Sequence, residues 1–174
     1  MDIKQFRSLI DEALLGAGYS PHKLAPDTLV SWQKSKGEVV PLFLPHAMRR
    51  PWGFKLSGEV GIEVPQLRSW LNQHKGKEGF GAFRRAFVCY NILNDPHLSA
   101  FGAGHGRPLP VDDWVETIDR HLMSVPSTLD ELIDTYQAEP SRFGWWAKPE
   151  SSWDFLIRWR SNPDPELEVP QRWY

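Results

Sequence analysis

The chain has too little cysteine, too little excess charge and too little continuous apolar sequence for several whole classes of protein. Its single cysteine, Cys89, cannot close an internal disulfide. It lies in the apolar run Ala86-Phe87-Val88-Cys89-Tyr90, where a buried small hydrophobe is expected rather than a nucleophile activated by a neighbouring cation. No stretch approaches the roughly 18 uninterrupted apolar residues of a membrane-spanning helix. The N-terminal Met1-Asp2-Ile3-Lys4-Gln5-Phe6-Arg7 lacks the apolar core and small-residue cleavage pattern of a secretory signal, so a reducing cytoplasm is the expected location. Twenty Lys and Arg against 22 Asp and Glu leave a net charge of −2, so nucleic acid is disfavoured as a partner, because phosphate binding draws on a basic excess.

Catalytic signatures are missing as well. No Gly-x-Ser-x-Gly elbow is present, and Ser57, Ser69 and Ser99 have no local context that marks a nucleophile. The six histidines, His22, His46, His74, His97, His105 and His121, include no pair spaced four apart, so neither a metal site nor a cofactor is expected. Glu59 and Glu63 share a strand face with backbones about 13 Å apart. A glycosidase pair needs roughly 5 to 9.5 Å between carboxyl groups, and a solvated strand face accounts for the same residues. No catalytic residue is assigned.

What is present fits one α+β domain spanning residues 1–174, with 41% hydrophobic and 24% charged residues. Ile3, Phe6, Ile10, Ala13 and Leu14 recur at helical spacing behind an Asp2 cap, and Gly16-Ala17-Gly18 ends the helix. Residues 28–33 and 38–44 read as a hairpin, with Pro41 placing the second strand at an edge or a bulge. Phe54, Leu56, Gly58, Val60, Ile62 and Val64 alternate with polar residues, as in an antiparallel strand with one wet side. Gly58 and Gly61 suggest a bend or the close approach of another element. A helix is expected from Pro65, and the run 83–93, apolar on both faces, reads as an interior strand, with a buried helix the alternative that periodicity leaves open. Two helices follow, one opened by Asp112 or Asp113 and one by the capping pair Thr128 and Glu131. Residues 151–160 fit a strand or a helix, with helix favoured, before an extended aromatic-rich tail. The expected architecture is an N-terminal helix, an antiparallel sheet of four to five strands, and helices packed on one face.

Nine tryptophans and fifteen prolines are the anomaly. Trp70 and Trp114 lie on apolar helix faces and belong in the core, and Trp32 reads either way. Trp52 follows Arg49-Arg50-Pro51, and Trp145-Trp146 lies in a loop; aromatics there mark a binding surface or pin the tail. Arginine beside aromatics suits protein interfaces and single-stranded nucleic acid alike. The loop Gly102-Ala103-Gly104-His105-Gly106-Arg107 makes His105 and Arg107 candidates for holding an anion, although Pro108 and Pro110 prevent a helix from starting directly behind it.

The N-terminal helix over 3–18, then Trp32-Gln33-Lys34, then Trp52-Gly53-Phe54 leading to Gly61-Ile62 resembles a set of small bacterial α+β domains of unknown function, some of immunity-protein type. The likeness spans the first half of the chain and transfers no catalytic residue. It implies an antiparallel sheet with C-terminal helices, and an immunity or inhibitor role toward a toxin domain. The expected function is therefore non-enzymatic protein binding through Arg49, Arg50, Trp52, Trp145 and Trp146. The alternatives are a small-ligand or nucleotide-handling enzyme with His105 as acid/base and Arg107 or Arg84 as anion clamp, and a single-stranded nucleic-acid binder.

Overall fold

A computed structural model of the protein describes residues 2–23, 30–51, 53–75, 88–91, 102–103, 111–140 and 149–169. Helix α1 (Ile3–Gly16) starts at its cap: the Asp2 carboxylate accepts the N–H groups of Lys4 and Gln5 at 2.8 and 2.9 Å, and the Gln5 side chain accepts the Asp2 N–H. It ends where Gly18 adopts φ +85°, which lets Tyr19 donate back to the Leu14 carbonyl at 2.9 Å.

Five strands follow one another across an antiparallel sheet: β1 (Ser20–His22), β2 (Ser31–Gln33), β3 (Val40–Arg50), β4 (Gly53–Glu63) and β5 (Val88–Asn91). A sixth, β6 (Gly102–Ala103), pairs with the opposite end of β4. The additions to the expected four or five strands are β1 and β6, three and two residues long, too short to carry a periodicity.

The β3–β4 ladder is continuous from Val40↔Glu63 to Arg50↔Gly53, with no bulge at Pro41. A two-residue turn closes on a hydrogen-bonded pair, so the even-numbered residues of β3 point their backbone groups at β4. The odd-numbered ones, Pro41 and Pro45 included, point away. Both prolines therefore sit where a missing N–H costs the ladder nothing, and they bracket the β2 bridge, Trp32↔Phe43.

Helices α2 (Pro65–His74), α3 (Val111–Met123), α4 (Leu129–Ala138) and α5 (Pro149–Ser161) join α1 on one face of the sheet. Phe6 of α1 stacks on Phe54 at 5.3 Å and meets Trp114 of α3 edge-on at 6.0 Å. Thr128 caps α4, and Glu38 reaches across to accept the Leu129 N–H at 3.0 Å. Residues 151–160 are helical: that conformation buries Trp153, Leu156 and Trp159 together, and Trp153 stacks on Tyr136 at 4.2 Å. The tail returns over α2, where the Trp70 indole donates to the Pro163 carbonyl and Lys75 to that of Pro165. Among the described residues, no helix is long and apolar enough to cross a membrane.

The other sheet face is drier than the alternation in β4 implies. Val40, Leu42 and Leu44 form a buried cluster of their own, and Ser57 and Glu63 are 2% and 6% exposed. Glu63 tolerates burial because its two oxygens meet His22 Nε2 at 2.7 Å and Arg68 Nε at 2.6 Å.

Tyr19 joins α1 to α3 by donating to Asp119, which also accepts from Lys34 at 2.9 Å. Burial above all, and then this bond to a carboxylate, push the Tyr19 phenol well above its ordinary 10.0. A raised folded-state value contributes stability that is complete below pH 10 and fades as pH rises beyond it. Tyr19 is expected to ionise after the protein's exposed tyrosines in an ultraviolet titration. Tyr19→Phe should flatten the alkaline loss of stability; an unchanged slope would contradict this coupling.

Candidate protein interface

Beyond the β2 bridge, residues 45–50 of β3 have no strand partner on their outer side among the described residues. By the alternation along β3, the N–H groups of Ala47 and Arg49 and the carbonyls of Pro45, Ala47 and Arg49 face outward there. Pro45 lacks the donor that a longer β2 would use at this position, and among the described residues the pairing with β2 stops before it. An edge that has no partner among the described residues is a template for another strand.

Arg49 and Arg50 finish the strand, both exposed, opposite Phe54 and Gly53. Consecutive residues in a strand point to opposite faces, so the two guanidiniums flank the edge from either side. Gly53 holds φ +139°, a conformation that keeps the turn tight and a Cβ would resist.

A cleft of ≈ 430 Å³ opens beside the edge, between α1 and the hairpin, lined by Arg7, Asp11, Trp32, His46, Ala47 and Glu59 among others. Partial desolvation holds the Asp11 carboxyl above its usual value, with Arg7 opposing. His46 Nε2 stands 3.6 Å from Glu59 Oε1, a charge contact longer than a hydrogen bond. The cleft therefore offers apolar walls, one carboxylate and one guanidinium at its α1 lip, and a His–Glu pair beneath the strand.

Of the residues singled out from the sequence, Arg49 and Arg50 are brought together here. Trp52, Trp145, Trp146, His105 and Arg107 lie outside the described residues. The indoles that are described, at 32, 70, 114, 153 and 159, are each at most 8% exposed and serve the core. The stretch from Pro45 to Met48 was not legible as a surface. Its signal is the spacing of Pro41 and Pro45, which puts both on the side of β3 away from β4. No group of three or more His, Cys, Asp or Glu is placed to hold a metal ion among the described residues.

Fold and site together describe an α+β protein that carries one antiparallel sheet, helices on one face, and a cationic strand end that is partly unpaired among the described residues. No protein-family model, curated protein or solved structure matches this chain.

Proposed function

We propose that the protein is a non-enzymatic protein-binding domain whose β3 edge takes up an extended, acidic segment of its partner. The observation that carries this reading is the coincidence of outward-facing backbone groups over 45–50 with the exposed pair Arg49 and Arg50. In strand addition, main-chain hydrogen bonds supply affinity while flanking pockets select alternate side chains. Each such bond contributes only about 1 kcal/mol net, so the edge alone binds weakly. The guanidiniums add steering and register toward carboxylates, and the cleft beside Ala47 receives one apolar side chain. Neutralising a toxin domain is the narrower form of this reading, drawn from the resemblance of the first half to immunity-type domains.

Affinity capture from the source cell tests it, comparing the native chain with Arg49→Glu/Arg50→Glu. Both side chains are exposed, so the double variant should fold normally. A protein retained by the native chain, released by salt and lost from the variant is the expected result. Identical captured sets would dismiss the arginine pair as the binding surface. For the inhibitor form, the added readout is survival of cells that express the captured partner.

A further inference from the structure

A second surface, on the opposite flank of α1, has different chemistry. The C-terminal half of α1 and the outer side of α3 border an open trough of ≈ 1130 Å³. Its α1 wall consists of Ala13, Gly16 and Ala17, so an object lying in the trough approaches the helix backbone closely. Val115 and Met123 supply the apolar part of the α3 wall. Met123 is 84% exposed, and Leu9, one turn before Ala13 on the same helix face, is 38% exposed. Large apolar side chains left in water beside a groove mark a contact surface.

Acids outnumber cations on this trough, three to one among its lining residues. Asp112 and Glu116, both on its α3 wall, are four residues apart, a like-charge spacing that weakens a helix. Neither has an ion-pair partner among the described residues. Asp119 continues the stripe but is already held by Lys34 and Tyr19. Arg120 is the one cation lining the trough among the described residues, and its guanidinium donates to Thr117 of its own helix at 3.4 Å.

We infer that this trough docks a basic amphipathic helix of a partner protein. A helix fits because both walls are largely helical, their interior backbone groups bonded within the helix, so the trough gives an extended strand no continuous row of groups to pair with. Apolar residues at i, i+3 or i+4, and i+7 of the incoming helix meet Ala13, Val115 and Met123. Its Lys and Arg side chains meet Asp112 and Glu116, which have no ion-pair partner among the described residues. The surface is separate from the β3 edge and does not depend on it.

A phage-displayed library of random peptides, panned against the full-length chain, tests the inference. Enriched peptides should carry Lys or Arg opposite apolar residues at helical spacing. Affinity of the leading synthetic peptide should fall at least about tenfold in Met123→Glu, and again in Asp112→Lys/Glu116→Lys. It should weaken with salt and stay unchanged in Arg49→Glu/Arg50→Glu, which separates this surface from the β3 edge. Met123 is largely solvated, so its replacement leaves the core untouched, and circular dichroism of each variant verifies folding. No enrichment, enrichment of acidic or non-helical peptides, or binding indifferent to Met123→Glu would overturn the assignment.

Discussion

Gly58→Ala should destabilise the native state by about 3 kcal/mol or more, at the top of the usual range for overpacking. A Cβ at this position would lie 2.5 Å from Phe43 Cε2, 2.8 Å from Phe43 Cζ and 2.7 Å from the Leu44 carbonyl oxygen. The ring has nowhere to go, because Phe43 is fully buried and its backbone carries the β2 bridge. The carbonyl is held by the ladder to β4. Denaturant unfolding measures the loss, and Phe43→Leu placed in the same chain should recover part of it, since the carbonyl clash remains. Gly16→Ala is the control: nothing lies within 4 Å of that Cβ, and a helical alanine should be neutral or mildly stabilising. Equal stability of Gly58→Ala and Gly16→Ala would refute the close packing of Phe43 over β4.

The second large effect is expected at Glu63. Its carboxylate joins three elements, β4 by its own backbone, β1 through His22 and α2 through Arg68. Glu63→Ala takes from the half-buried Arg68 guanidinium the carboxylate that supports its charge, while its burial continues to work against it. Removing one partner of a buried pair typically costs about 3–5 kcal/mol. Arg68 keeps a quarter of its side chain in water, so about 2–3 kcal/mol is expected here. Glu63→Met with Arg68→Met should cost less than Glu63→Ala alone, because the carboxylate and the guanidinium it supports leave together. Additive losses across that cycle would mean that the two side chains do not interact.

The parts of the fold encoded within a few neighbouring residues were open to reading from the sequence. Asp2 with Gln5, Pro65, and Thr128 with Glu131 are local caps or starts, and the alternation from Phe54 to Ile62 is a strand whatever surrounds it. Gly58 was recognisable as a place of close approach, though not that Phe43 makes it. Features created by tertiary partners were hidden. The burial of Glu63 depends on His22, 41 residues earlier in the chain, and on Arg68 in the next helix. Strands β1 and β6 exist because the long hairpin and its neighbours offer them backbone partners. For the site, Arg49 and Arg50 stood out as a cationic pair. The edge beneath them, unpaired among the described residues, emerged only once the register showed which way Pro41 and Pro45 face.

The tryptophans carry a similar lesson. Trp70 and Trp114 were legible as core from their helix faces, and with Trp32, Trp153 and Trp159 they pack between the helices and one sheet face. Trp52, Trp145 and Trp146, the indoles read as a binding surface, lie outside the described residues. In the proposed binding mode, recognition falls instead to cationic and backbone groups at the end of a strand.

Amide hydrogen exchange along β3, in the free protein and with the captured partner bound, tests strand addition most directly. In the free protein the Ala47 and Arg49 amides should exchange quickly while those of Leu44, His46 and Met48, bonded to β4, are slow. Partner binding should then slow Ala47 and Arg49 specifically. Amides at 47 and 49 that are already protected in the free protein, or that stay fast in the complex, would contradict strand addition at this edge.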